Sequence, residues 1–116
     1  MKELLRKQYG PIEYVLYRIV EELGTPAGYE WTCQVQGACA FGTVSASRDE
    51  NAIRAVEWAW PLHALGILRN YVPVRAVLPL ARRDELIREL ECELAWLQHD
   101  AIHAHRPVPA VTPAGR

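Results

Sequence analysis

The chain has 116 residues, half of them hydrophobic, with four Trp and nearly cancelling charge, 13 Lys and Arg against 14 Asp and Glu. That length suits one domain with one core, and the composition excludes disorder as a description of the whole chain. The near-neutral balance gives no general attraction to nucleic acid or an anionic membrane, and no apolar run is long enough to span a bilayer.

Residues 2–9 predict a short helix interrupted by Gly10-Pro11, and Pro11 suits the first turn of a longer helix. In PIEYVLYRIVEELG the apolar positions Ile12, Val15, Leu16, Ile19, Val20 and Leu23 form a one-face helical stripe, with Gly24 at C′ and Pro26 blocking continuation. Trp31, Cys33 and Val35 then alternate with Thr32, Gln34 and Gln36, which predicts a half-buried strand. Gly37 marks a turn, and a second strand of small residues runs to about residue 46, with Phe41 and Val44 as its large apolar groups. Residues 31–47 carry no charge.

Ser47 and Glu50 predict a capping box. The helix after it presents Ala52, Ile53, Val56, Ala59 and Trp60, and Pro61 ends or kinks it. Val72, Val74, Ala76, Leu78 and Leu80 alternate, predicting a third strand over 71–80; Pro73 and Pro79 on its other face mark it as an edge. A last helix spans about Asp84 to His105, with Ile87, Leu90, Leu94, Leu97, Ala101 and Ala104 at heptad spacing. RPVPAVTPAGR reads as a disordered, polyproline-like tail. The expected architecture is α+β: a small antiparallel sheet of about three strands covered by helices, in the order α-β-β-α-β-α. Residues 1–105 form the domain and 106–116 the tail.

Charge is uneven along the chain. Residues 31–83 carry six Arg against three acids, and residues 84–116 carry three Arg against six. The three cysteines, Cys33, Cys39 and Cys92, form no C-x-x-C pair. With the charged start MKELLRK, they predict reduced thiols and a cytoplasmic protein.

HDAIHAH, residues 99–105, puts His99 and His103 at the i, i+4 spacing that zinc helices use. A third ligand is lacking downstream, Asp100 is shorter than the Glu such enzymes use as base, and Cys92 lies roughly 10 Å of helical rise from His99. Histidine near a helix C-terminus also complements the dipole without any metal. Neither a cofactor nor a metal is expected, and a metal-dependent hydrolase on this helix stands as the third-ranked reading.

FGTVSASRDENAIRAVEWA, residues 41–59, resembles locally the end of plant-type AP2 or integrase-arm DNA-binding domains, through Gly42, Thr43, Glu50, Ala52, Ala55 and Ala59. The order helix, strands, helix is similar to that of the double-stranded RNA-binding domain. The resemblance implies nucleic-acid binding, which would need Arg48, Arg54, Arg69, Arg75, Arg82 and Arg83 on one face. The strand pair lacks the Arg and Lys with which such strands hold phosphates and bases. Nucleic-acid binding is therefore the second reading.

The first reading is a small non-enzymatic protein-binding module: an adaptor, a regulatory subunit or a stoichiometric inhibitor, of the size of phage anti-defence proteins. Tyr14, Tyr17, Trp58 and Trp96 lie off the predicted core faces, and Gln34 and Gln36 lie on the polar strand face. These six are the expected partner-binding residues. Ile87, Leu90, Leu94 and Leu97 are the expected seam of a homodimer.

Overall fold

A computed structural model of the chain describes residues 1–19 and 28–104, with side chains through residue 100. Four strands come first and three helices follow: β1 (Lys2–Tyr9), β2 (Ile12–Ile19), β3 (Gly28–Val35), β4 (Ala38–Val44), α1 (Asp49–Asn70), α2 (Val72–Val77) and α3 (Leu80–Ala104). The strands form one antiparallel meander in the order β1-β2-β3-β4. The α+β class and the antiparallel sheet match expectation. The sheet, however, has four strands rather than three, and all of them precede the helices.

Three elements change type. β1 and β2 replace the two expected N-terminal helices. In β2, Ile12, Tyr14 and Leu16 are each 0 % exposed on one face, while Val15, at 2 %, faces the other way. A strand buried on both sides reads as a continuous apolar run, and such a run also satisfies a helical stripe. In β1 a register irregularity between Glu3 and Leu5 breaks the alternation that would have marked a strand. The third change is α2, where a strand was expected. Six residues are too few to show a 3.6-residue period, and Pro73 sits at its start, where no intrahelical N–H is required. The expected ends at Gly24 and Pro26, and the tail 106–116, lie outside the described residues.

Both hairpins close with two-residue turns. Gly10 has φ 57° and is followed by Pro11, as a type II′ turn requires. Gln36 and Gly37 have φ 52° and 90°, the two left-handed residues of a type I′ turn. These turns fix the registers Tyr9↔Ile12 and Val35↔Ala38; the later β3–β4 pairs follow from the second, and the β1–β2 pairs follow from the first as far as Leu5↔Leu16.

Helix α1 crosses the inner face of the sheet and buries Ala52, Val56, Trp60, Ala64 and Ile67. Pro61 does not end it; the ring is buried inside a 22-residue helix. The expected capping box is absent. Arg48 is the N-cap and makes no side-chain cap. Asp49 instead receives hydrogen bonds from the Tyr29 hydroxyl (2.9 Å) and the Arg18 guanidinium (3.2 Å), which tie the start of α1 to β2 and β3. α3 packs along α1 through Leu86 and Leu90, both 0 % exposed, and passes over the β1–β2 turn, where Arg82 and Leu86 approach Gly10.

Candidate functional site

The register assigns each strand residue to a face. Leu5, Lys7, Tyr9, Ile12, Tyr14, Leu16, Tyr29, Trp31, Cys33, Val35, Ala38, Ala40, Gly42 and Val44 share the face under the helices. The opposite face holds Arg6, Gln8, Glu13, Val15, Tyr17, Glu30, Thr32, Gln34, Cys39, Phe41 and Thr43. None of the described helices packs on this outer face; the core gathers on the inner one. One Arg faces three Glu there, counting Glu3, and Arg6 is ion-paired to both Glu3 and Glu13. Glu30 has no ion pair among the described residues.

β4 is a terminal strand and carries no charge over residues 38–44. The two-residue turn makes Val35↔Ala38 a hydrogen-bonded pair, so Ala38, Ala40, Gly42 and Val44 bond to β3. The backbone groups of Cys39, Phe41 and Thr43 therefore point out of the sheet edge. The Cys39 carbonyl accepts a bond from the Tyr71 hydroxyl at 2.9 Å, which closes that end beside α2. No described protein hydrogen bond occupies the outward groups of Phe41 and Thr43. The Phe41 side chain is 70 % exposed, on the outer face.

The expected contact residues scatter. Tyr17 and Gln34 share the outer face, and Gln36 stands in the adjoining turn. Trp58 lines a cleft on α1 with Glu50, Ile53, Arg54 and Glu57. Trp96 is 65 % exposed on α3, its ring edge against His99. Tyr14 corrects an expectation: it is 0 % exposed and belongs to the core, because β2 is a strand and not a helix. Of the expected seam, Leu90 is also fully buried, and Ile87 and Leu94 pack on the same core, so α1 already occupies that stripe. Leu97 is half-buried.

Tyr14 forms part of an inner aromatic stack. Its hydroxyl lies 2.8 Å from Nδ1 of His63. Burial lowers the pKa of His63 and raises that of Tyr14, so both shifts favour the neutral forms of the two groups, and which of them donates follows the His63 tautomer. The indole of Trp31 stacks on His63 at 4.3 Å between centroids and 11° between planes. Trp60 and Tyr9 extend the group. Cys33 lies beneath it, 0 % exposed, its thiol pushed up to about 12 mainly by burial. A thiol so held packs in the core as a small apolar group.

The arginines do not gather on one face. Arg48 pairs with Glu50, Arg69 with Glu91, and Arg82 with Glu85 and Glu89. Arg75 and Arg83 line a cleft between α2 and α3. Among the described residues no group of three or more His, Cys, Asp or Glu is placed to hold a metal. His99 is described; the side chain of His103 and all of His105 are not. No described helix is long and apolar enough to cross a membrane.

Sequence reasoning overlooked three groupings: the β4 edge with Phe41, the Trp31–His63–Tyr14 stack, and the Arg75–Arg83 cleft. The first was within reach, since the Gln36-Gly37 turn fixes which β4 residues face outward. The other two depend on helix placement. Compared with known protein families, curated proteins and solved structures, the chain matches none.

Proposed function

We propose that this chain is a protein-binding module that accepts an extended segment of a partner protein as a fifth strand beside β4. The observation that carries the reading is the β4 edge: a terminal, uncharged strand whose Phe41 is 70 % exposed on a sheet face that no described helix covers. Edge strands are commonly protected by charge, proline or a covering element, and among the described residues β4 is covered by Tyr71 and α2 at its Cys39 end. The outward N–H and C=O groups of Phe41 and Thr43 supply the ladder, and main-chain bonds give affinity in strand addition.

The neighbouring side chains set the partner's chemistry. Phe41 favours an apolar residue opposite it. Glu30 lies opposite Thr43 across the sheet, and its carboxylate, without an ion pair among the described residues, is within reach of a Lys or Arg on the incoming strand. A basic, apolar-alternating segment is therefore the fitting occupant. Tyr17 and Gln34 extend the contact across the outer face.

The test recovers the full chain and its Phe41→Lys variant from native cells after nuclease treatment. Expected is a stoichiometric partner that the variant loses, with slowed amide exchange at Phe41 and Thr43 in the wild-type complex. A partner retained by the variant, a co-purifying nucleic acid, or only a second copy of the chain by light scattering would overturn the reading.

A further inference from the structure

The cleft between α2 and the start of α3 has a volume of about 230 Å³ and is lined by Arg75, Leu78, Leu80 and Arg83. Among the described residues Arg75 and Arg83 have no ion pair, as is also true of Arg54 and Arg88, whereas Arg6, Arg18, Arg48, Arg69 and Arg82 all do. Arg75 donates to the backbone carbonyl of Arg69 at 3.0 Å, which leaves the rest of its guanidinium unengaged. Nε of Arg83 is buried and has no hydrogen-bond partner. The side chain of Arg83 makes no hydrogen bond among the described residues, and with Nε shielded its Nη groups are the donors that remain for an oxyanion in the cleft.

No acid is among the residues that line the cleft. The first turn of α3 contains no acid. Leu78, 4 % exposed, forms an apolar floor, and Leu80, 63 % exposed, stands at the rim. Apolar lining lowers the local dielectric and strengthens the attraction for an anion. A cleft of this size is smaller than the clefts that enclose drug-sized ligands, and it suits one oxyanion head with a short stem.

We infer that Arg75 and Arg83 form a binding site for a small oxyanion, a phosphate monoester by charge match to two guanidinium groups. The ligand bonds to the Nη groups of Arg83, Arg75 closes over it from α2, and its stem lies on Leu78 and Leu80. The site is independent of the β4 edge and stands whether or not that edge binds a partner.

The experiment titrates the full chain with inorganic phosphate and follows backbone amide shifts, with chloride at matched ionic strength as the control. Expected are saturable shifts over residues 75–84 with phosphate and not with chloride. Arg83→Gln and the exposed Arg75→Gln should each weaken binding by about tenfold or more, the worth of a charge-assisted hydrogen bond. Arg83→Lys should weaken it as well, because an ammonium lacks the fork. Phenyl phosphate binding more tightly than inorganic phosphate would support the apolar stem, and acetate binding equally tightly would replace phosphate with a carboxylate ligand. Shifts that do not saturate, that chloride reproduces, or that survive both Arg→Gln substitutions would overturn the site. If Arg83→Gln fails to fold, Arg75→Gln alone decides.

Discussion

Gly42 is the position where a single methyl group tests the packing between sheet and helix. Its Cα faces Trp31 across the β3–β4 pair. A Cβ built there would lie 2.6 Å from Cε2 and Cζ2 of the indole and 2.7 Å from Nε1. Carbon atoms in ordinary contact stand about 3.5–4.0 Å apart, so the ring would have to retreat by about 1 Å. His63 blocks the retreat: it stacks on the far side of the indole at 4.3 Å and is held by its bond to Tyr14. The strain therefore passes to α1. Overpacking of this kind costs about 1–3 kcal/mol. Alanine returns about 0.4–1 kcal/mol by restricting the unfolded chain. At the midpoints of those ranges the clash wins, and Gly42→Ala should destabilise by about 1.3 kcal/mol, with about 2.6 kcal/mol as the upper end. Urea denaturation followed by tryptophan fluorescence measures it. In a Trp31→Leu background the same substitution should cost nothing, since the ring that it strikes is gone. A Gly42→Ala protein as stable as the wild type, or an equal effect in both backgrounds, would refute the argument.

Other consequences can be checked by similar means. Because burial lowers the pKa of His63 from its ordinary value of 6.5, the unfolded chain takes up a proton that the fold resists. The contribution of this residue to stability is present above pH 6.5 and declines as pH falls below that value; His63→Phe should flatten this part of a urea-midpoint profile, and an unchanged profile would count against it. Cys39 and Cys92 are exposed and Cys33 is buried, so a thiol reagent should modify two cysteines rapidly and the third only on denaturation. Three equally fast reactions would contradict the packing of Cys33. Leu90→Ala should cost about 2–5 kcal/mol, as a fully buried leucine does. Its urea midpoint should not depend on protein concentration, since its contacts lie within the chain; a midpoint that rises with concentration would restore α3 as a subunit seam.

The class of the fold, the β3–β4 hairpin and the last helix were legible in the residues, because each rests on local chemistry. Trp31, Cys33 and Val35 alternate cleanly, Gln36-Gly37 makes the turn, and the apolar spacing from Ile87 to Leu97 persists for several turns. The same sequence left β2 ambiguous. In a central strand flanked on both sides, an apolar Val15 on the outer face interrupts the alternation, and the Ile12, Val15, Leu16, Ile19 spacing is that of a helix. Only the pairing with β1 and β3, which satisfies its backbone groups from two directions, decides for the strand. α2 shows the reverse case, where five alternating apolar residues suggest a strand and a six-residue helix forms beside the β4 edge.

The candidate sites divide in the same way. The uncharged β4 strand and its outward Phe41 follow from sequence and turn geometry alone. Tyr14 moved from presumed surface to core because its element changed type, and Leu90 because α1 covers the stripe it lies on. That Arg75 and Arg83 share a cleft while Arg69 and Arg82 find carboxylates is not written in any spacing. It depends on where two helices meet, and only the tertiary packing sets which charges are paired and which are left facing a cavity.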